Sequence, residues 1–187
     1  MPTSKERKMA LRKAIVQLKS NASPLALHEE SARLMWLLSQ HPRFVSAKTV
    51  LLFHSLPDEP CTHDFIEQWY TSKNILLPVV CGDILELRRY DGVHSLSSTG
   101  VYNIGEPVEG ALFTEYSSID LVVLPGVAFD AYGHRLGRGK GYYDRLLSHP
   151  DFANVYKMGI CFSFQSVDAV PAEAHDMLVD ELLCVAP

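Results

Sequence analysis

Residues 120–145, DLVVLPGVAFDAYGHRLGRGKGYYDR, carry the clearest indication of the fold. This stretch opens with a short apolar run, Asp120–Leu124, that Pro125 and Gly126 end, as is typical of a buried strand. A glycine-rich turn follows and leads into a helix predicted over 141–148. A strand, a glycine-rich turn and a helix in this order favour an α/β sheet, in which ligands bind beyond the carboxyl ends of the strands.

The same alternation of short apolar runs and helical patterns extends over the rest of the chain. Apolar spacing and capping residues such as Ser23 before Pro24 predict helices over 5–18, 23–40 and 62–72. Further strands are predicted over 49–53, 75–80, 85–90, 155–162 and 182–185, with mostly loop over 91–118. The pattern predicts one domain, residues 1–187, with a three-layer α/β fold: a mostly parallel sheet with helices on both faces.

The composition restricts the class of protein. The chain has 187 residues, of which 47% are hydrophobic and 21% charged, so it can bury a core. No apolar run approaches the roughly 20 residues that span a bilayer, and the N-terminus lacks a signal-peptide core, so we expect a cytoplasmic protein without membrane partners. A net charge of −5 argues against nucleic-acid binding. The four cysteines show no metal-binding spacing and are expected to be reduced, buried thiols.

The charges are unevenly distributed along the chain. The first 20 residues carry six Lys or Arg against one Glu, and residues 134–145 carry four against one Asp. The last 20 residues carry five acids and neither Lys nor Arg. Two basic clusters in an acidic protein fit the collection of a small anion, and they also fit a solvated helix face and a charged turn.

The segment between the 120–124 strand and the following helix carries the clearest chemistry. Gly137, Gly139 and Gly141 let the backbone approach a ligand, and amide groups at a helix start can hold phosphate oxygens. The countercharge would come from Arg135, Arg138 and Lys140. The loop is not a Walker A motif, because its first glycine is replaced by His134, nor a GxGxxG motif, because position 142 is Tyr. A phosphate-binding loop of another type and a charged surface turn both remain open.

Carboxylates in two places suggest a magnesium site. Asp144 directly follows the glycine-rich loop, and a second ligand is available near the C-terminus from Glu173, Asp176 and Asp180. Mg²⁺ usually takes one or two protein carboxylates together with water and phosphate, so one residue from each place would suffice. An exposed carboxylate without a metal is the alternative for Asp144.

A polar loop over 54–60 follows the first predicted strand, where an active-site loop belongs. His54 and Glu59 in it are candidates for substrate contact, although polar loops after strands are common. Tyr102, Tyr142 and Tyr143 are candidates for stacking on a flat ligand, with burial in the core as the alternative for each.

Together these residues resemble the 5-formyltetrahydrofolate cyclo-ligase (5,10-methenyltetrahydrofolate synthetase) family. The strongest element of the resemblance is LPGVAFDAYGHRLGRGKGYYDR, residues 124–145. Four supporting elements occur in the family's order: KMALR (8–12), FHSLPDEPCT (53–62), NIGEP (103–107) and VPAEAHDMLVDELL (170–183). The resemblance covers nearly the whole chain. It implies a three-layer α/β fold and an ATP- and Mg²⁺-dependent closure of 5-formyltetrahydrofolate to 5,10-methenyltetrahydrofolate, by phosphorylation of the formyl oxygen.

The resemblance also implies roles for individual residues. Lys8 and Arg12 match ATP-phosphate contacts, and Asp144 and Asp176 match Mg²⁺ ligands, with Asp180 as a rival to Asp176. The nucleotide loop matches residues 135–143, namely Arg135, Leu136, Gly137, Arg138, Gly139, Lys140, Gly141, Tyr142 and Tyr143. Of these, Arg138, Lys140 and Tyr142 are the expected catalytic residues. The expected folate contacts are His54, Glu59, Tyr102 and Tyr142. His54 departs from the apolar or aromatic residue expected there.

Three functions are compatible with these motifs and residues. The first is the cyclo-ligase, with ATP and Mg²⁺ as cofactors, a folate substrate that carries one or more glutamates, and a monomeric or small homo-oligomeric state. The second is a folate- or nucleotide-binding relative without turnover. The third is another enzyme on a related scaffold, such as a sugar-phosphate isomerase, which a substrate screen without ATP would identify.

Overall fold

The computed structural model describes residues 1–97, 105–107 and 110–185. It has five α-helices in these ranges: α1 (Ser4–Ser20), α2 (Pro24–Gln40), α3 (Pro42–Ser46), α4 (His63–Trp69) and α5 (Tyr142–Leu147). The strands are β1 (Thr49–Leu51), β2 (Asn74–Cys81), β3 (Ile84–Arg89), β4 (Leu96–Ser97), β5 (Glu106–Pro107), β6 (Leu112–Phe113), β7 (Leu121–Leu124), β8 (Ala128–Phe129), β9 (Arg135–Leu136), β10 (Tyr156–Cys161) and β11 (Glu181–Cys184). None of these helices is long and apolar enough to cross a bilayer.

Seven of the strands form one sheet in the order β11-β10-β7-β1-β2-β3-β6. The five strands from β11 to β2 are parallel to one another. The two at the other edge are antiparallel, because a tight hairpin joins β2 to β3 and β6 pairs back on β3. The mostly parallel α/β sheet predicted from the sequence is confirmed.

Both faces of the sheet are covered by apolar side chains. Neighbouring strand residues point to opposite faces, so Val50 packs with Leu34 of α2 and Phe44 of α3, while Leu51 packs with Leu146 of α5. Full burial of a leucine side chain contributes about 1.5–3 kcal/mol. Helices therefore lie on both faces, as the three-layer prediction required.

Helix α1 packs elsewhere. Its buried Ile15 contacts Ala128 of β8, Leu136 of β9 and Val170, away from the two main cores. A capping box between Thr3 and Glu6 begins the helix. This packing lays α1 against the β8–β9 hairpin and so brings its charged side chains to the loops beside it.

The structure differs from the sequence predictions in short elements. Helix α3 was not predicted, because its five residues are too few for a periodic signal; Pro42 begins it, and the His41 side chain accepts a hydrogen bond from the Arg43 amide. Strands β4 to β6 lie in the stretch predicted as mostly loop. The expectation of four buried thiols was wrong in part, since Cys61 and Cys81 are exposed and only Cys161 is fully buried. Each of the two exposed thiols lies outside the apolar cores. The apolar residues near a cysteine in the sequence do not reveal whether its side chain is exposed.

Candidate active site

The candidate site lies at the carboxyl ends of β1 and β7, which are neighbours in the sheet. The substrate loop (residues 54–60) follows β1. The glycine loop (residues 137–141) follows the β8–β9 hairpin, which itself follows β7. The acidic segment (residues 171–180) precedes β11, and α1 touches all three. This is the edge at which parallel α/β sheets bind their ligands.

The β8–β9 hairpin is shaped by one buried carboxylate. Asp130 is 2% exposed, and its oxygens accept hydrogen bonds from the amides of Tyr132, His134 and Val170 and from the His134 ring. Burial opposes the charge, but the hydrogen bonds from Val170 and His134 outweigh it and lower the pKa of Asp130. The carboxylate therefore fixes the turn that leads into the glycine loop and ties it to the chain before the acidic segment.

Arg135 points into the protein. Its side chain is 4% exposed, one guanidinium nitrogen donates to Asp144 Oδ1 at 3.0 Å and another to the Pro125 carbonyl oxygen at 3.2 Å. The guanidinium also lies 5.5 Å from the centre of the Tyr143 ring, and burial raises the pKa of that tyrosine's hydroxyl. Arg135 and the buried Leu136 thus support the loop from beneath, and the direct partner of Arg135 is Asp144.

The glycine loop has the backbone that its sequence indicates. Gly139 has φ +104° and Gly141 φ +68°, a region that favours glycine. Gly141 is the N-cap residue that precedes α5, and the Arg12 guanidinium donates to the Gly137 carbonyl oxygen at 2.9 Å. Lys140 is exposed and makes no hydrogen bond or ion pair with any residue that the structure describes. The loop therefore presents one uncommitted cation to a ligand.

Arg138 joins the glycine loop to the substrate loop. Its guanidinium binds Asp58, and its Nε and Nη2 lie 3.1 and 2.9 Å from Glu59 Oε1. The other oxygen of Glu59 accepts from the Leu56 amide at 3.0 Å. Burial opposes ionisation of Asp58, but its hydrogen bond and ion pair with Arg138 lower the pKa of that carboxyl. Arg138 and Glu59, expected at the phosphate and at the folate respectively, are in direct contact.

Lys8 lies between two carboxylates of the acidic segment. Its ammonium is 2.6 Å from Asp176 Oδ2 and 2.7 Å from Glu173 Oε2. Burial opposes the charge of Lys8, but the hydrogen bonds to Asp176 and Glu173 raise its pKa; in turn, burial opposes ionisation of Asp176 and the bond from Lys8 lowers its pKa. The Lys8 charge is thus held in place before any ligand arrives.

The predicted metal ligands lie in neighbouring segments. Asp144 Oδ1 accepts from the Met177 amide at 3.4 Å, which places the start of α5 beside Asp176. Oxygen or nitrogen atoms of Glu173, His175 and Asp176 lie within 4.8 Å of one another. Asp180 is at the far, amino end of β10, where its carboxylate accepts from the Lys157 amide at 2.7 Å. The geometry therefore favours Asp176 over Asp180 as the partner of Asp144.

His54 and Tyr142, two of the expected folate contacts, both contact other residues of the chain. The His54 ring stacks on His63 with centroids 3.8 Å apart, and its Nδ1 is buried without a hydrogen-bond partner among the described residues. Burial, with a smaller effect of His63, lowers the pKa of His54 to about 4. The Tyr142 hydroxyl donates to the Gly82 carbonyl oxygen at 3.2 Å. Tyr102 lies outside the described residues.

Comparison with known proteins identifies the family. A family model for the 5-formyltetrahydrofolate cyclo-ligase family matches residues 4–185. The chain belongs to this family. The 5-formyltetrahydrofolate cyclo-ligase of Mus musculus is 34% identical over 172 residues, which cover 83% of this chain and 84% of the mouse protein. That of Escherichia coli K12 is 33% identical over 143 residues, or 73% of this chain and 78% of its own.

Solved structures of the cyclo-ligase family share the fold. The 5,10-methenyltetrahydrofolate synthetase of Aquifex aeolicus superposes with a TM-score of 0.83 at 34% identity, covering 95% of this chain and 89% of the other. The synthetase from Mycoplasma pneumoniae gives a TM-score of 0.71 at 25% identity, covering 94% and 97%. The resemblance inferred from the sequence motifs is confirmed.

Sequence reasoning about this cyclo-ligase family member missed two side chains of the site: Lys19 and Asp58. Lys19 lies 3.4 Å from Asp58 and joins the last turn of α1 to the substrate loop. A signal for it was present, because Lys8, Arg12, Ile15 and Lys19 recur at helical spacing and share one face of α1. Asp58 carried no separate signal, since an acid in a polar loop is common.

Proposed function

We propose that the protein catalyses the ATP- and Mg²⁺-dependent cyclisation of 5-formyltetrahydrofolate to 5,10-methenyltetrahydrofolate, with release of ADP and phosphate. Membership of the cyclo-ligase family supports the substrate and the product. The observation that carries the use of ATP is the glycine loop, which turns at two positive-φ glycines and presents Lys140 next to carboxylates and further cations. A site for phosphoryl transfer requires this combination of close backbone approach and fixed countercharge.

The proposed reaction has two steps. A formyl amide is a poor electrophile, so its oxygen first attacks the γ-phosphorus of ATP; an O–P bond forms, the bond to ADP breaks, and ADP leaves. N10 then attacks the activated carbon, a C–N bond forms, and the C–O bond breaks as phosphate leaves. The N10 proton passes to solvent. The protein's main task is to position these groups and to neutralise the charge that moves between them.

The described residues divide this task between them. Lys140 is exposed and uncommitted, so it is suited to the transferring phosphoryl group, where a positioned charge stabilises the transition state. Arg12 already holds the glycine loop through the Gly137 carbonyl and lies beside Gly139, so it can contact phosphate without moving far. Arg138 holds Glu59 and therefore aligns the folate side of the site with the phosphate side.

Asp144 and Asp176 suit a magnesium ion. Both are partly buried carboxylates in neighbouring segments, and oxygen atoms are the ligands that Mg²⁺ prefers. Magnesium would neutralise phosphate charge when it is bound. Arg135 and Lys8 donate hydrogen bonds to Asp144 and Asp176 respectively and so hold these two carboxylates in place.

An absorbance assay tests the proposal. Purified protein is mixed with 5-formyltetrahydrofolate, ATP and Mg²⁺, and the near-ultraviolet band of the methenyl product is followed. We expect a rise that disappears when either ATP or Mg²⁺ is omitted. A flat trace from folded protein that binds ATP would overturn the proposal and favour a relative that binds without turnover.

A further inference from the structure

Two cysteines lie side by side at the carboxyl ends of β10 and β11. Cys161 and Cys184 are register partners in this parallel pair of strands, so their side chains point to the same face of the sheet. Cys161 is fully buried in an apolar core, and the half-buried Cys184 packs against the same core. Neither thiol takes part in the proposed reaction, so that reaction does not account for their juxtaposition.

We propose that Cys161 and Cys184 form a reversible disulfide site, which a hydroperoxide oxidises. This inference goes beyond the proposed function and does not depend on it. Neighbouring strands of a sheet lie about 4.8 Å apart, and a disulfide joins Cα atoms that are about 4.4–6.8 Å apart. The register of β10 and β11 therefore allows the bond to form with little movement of the backbone.

The surroundings of the two thiols give each a different role. The Cys161 thiol donates a hydrogen bond to the Cys184 sulfur, and this bond lowers the pKa of Cys184 against the opposing effects of burial and of the Glu30 carboxylate. The same hydrogen bond, together with burial, raises the pKa of Cys161. Cys184 also lies on β11, which is the edge strand of the sheet. Because the nucleophile is a thiolate that an oxidant can reach, Cys184 reacts first and Cys161 follows.

The proposed oxidation has two steps. The Cys184 thiolate attacks one oxygen of the hydroperoxide; an S–O bond forms, the O–O bond breaks, and the departing alkoxide takes the proton that the thiol released and leaves as an alcohol. The Cys161 sulfur then attacks the sulfur of this sulfenic acid. An S–S bond forms, the S–O bond breaks, and hydroxide leaves as water with the Cys161 proton. Two thiols are oxidised to one disulfide, and the hydroperoxide is reduced to alcohol and water.

The disulfide closes a loop that contains the acidic segment. Residues 162–183 lie between the two cysteines and include Asp176, the partner of Lys8. The edge strand β11 is also the last strand of the sheet, a position where chains open readily unless they are held. A disulfide restricts the unfolded chain and so stabilises the fold. For a chain of this size we expect Tm to rise by about 5–10 °C on oxidation.

Treatment of the folded protein with hydrogen peroxide tests the inference. The test protein is the double variant Cys61→Ser/Cys81→Ser, which lacks the two exposed thiols and keeps the pair. Mass spectrometry of alkylated, unreduced digests should find a peptide that joins Cys161 to Cys184, and dithiothreitol should return both thiols. Thermal melts before and after oxidation measure the rise in Tm. Adding Cys184→Ala to the double variant is the matched control, and its Tm should not rise with peroxide, which also controls for oxidation of methionines.

Two results would overturn the inference. The first is that both thiols of the pair remain free under peroxide conditions that fully oxidise Cys61 and Cys81 in the unsubstituted protein. The second is that Cys184 becomes a sulfinic acid while Cys161 stays free, because Cys161 would then fail to resolve the sulfenic acid. Both measurements are made on the pair itself and without ATP or folate, so they hold whether or not the protein catalyses the cyclisation.

Discussion

Lys8 and Asp176 lie 168 positions apart in the chain, and their charged groups are 2.6 Å apart in the fold. Both side chains are mostly buried, at 12% and 14% exposed. A charge-assisted hydrogen bond in such a place is stronger than one at the surface. The contact joins the first helix to the acidic segment before the last strand, so it links the two ends of the chain at the candidate site.

Asp176→Asn should therefore lower activity and raise the Mg²⁺ concentration needed for half-maximal rate. The substitution removes both a proposed metal ligand and the partner of Lys8, and we expect kcat/KM at fixed Mg²⁺ to fall about 10- to 100-fold, the effect of losing a hydrogen bond to a charged group. Glu173→Gln is the matched control, because Glu173 also contacts Lys8 but is 42% exposed. If both variants showed the same Mg²⁺ titration as the unsubstituted protein, Asp176 would be structural.

Lys140→Ala should act mainly on turnover. The side chain is exposed and holds no described part of the fold together, so stability should not change. Because we propose that Lys140 contacts the transferring phosphoryl group, we expect loss of its charge to lower kcat about 100-fold. Stopped-time assays with Lys13→Ala as the exposed control measure this, and a variant with the original kcat would contradict the assigned role.

The sequence predicted the sheet well and the contacts within the site less well. The apolar run before Pro125 and the glycines after it predict a strand and a loop from local rules alone, and these appear as β7 and the glycine loop. Arg138 shows which contacts the sequence could not predict. Its cationic character indicated a phosphate contact, but its partners are 79 and 80 positions away on the substrate loop. Such a pairing depends on how α1 and the loops pack, which no local pattern of residues encodes.

Asp130→Asn should destabilise the fold more than it disturbs any ligand contact. The amide would replace a carboxylate that accepts four hydrogen bonds, and losing charge-assisted bonds at a buried site costs about 2–3 kcal/mol. For a chain of this size that is a fall in Tm of about 5–10 °C. Asp91→Asn, at an exposed ion pair with Arg89, should leave Tm unchanged. An equal Tm for both variants would show that Asp130 does not hold the hairpin.

The acid sensitivity of Asp130 follows from the same hydrogen bonds. Because its pKa is lowered in the folded state, the stability that it contributes is present above the ordinary Asp pKa of about 4 and is lost as pH falls below it. Asp130→Asn should therefore lose less stability than the unsubstituted protein between about pH 4 and pH 2. Thermal melts over that range measure the difference.

A second prediction of pH-dependent stability concerns His54. Its folded-state pKa of about 4 lies below the ordinary value of 6.5, so the unfolded chain binds a proton more readily as pH falls. The unsubstituted protein should lose stability between pH 6.5 and pH 4, and His54→Leu should lose less, because leucine does not titrate and leaves no unpartnered nitrogen buried. His28→Leu, on an exposed part of α2, controls for removal of a histidine. If melting temperatures of His54→Leu and His28→Leu fell equally over this range, His54 would be protonated in the fold as easily as in the unfolded chain.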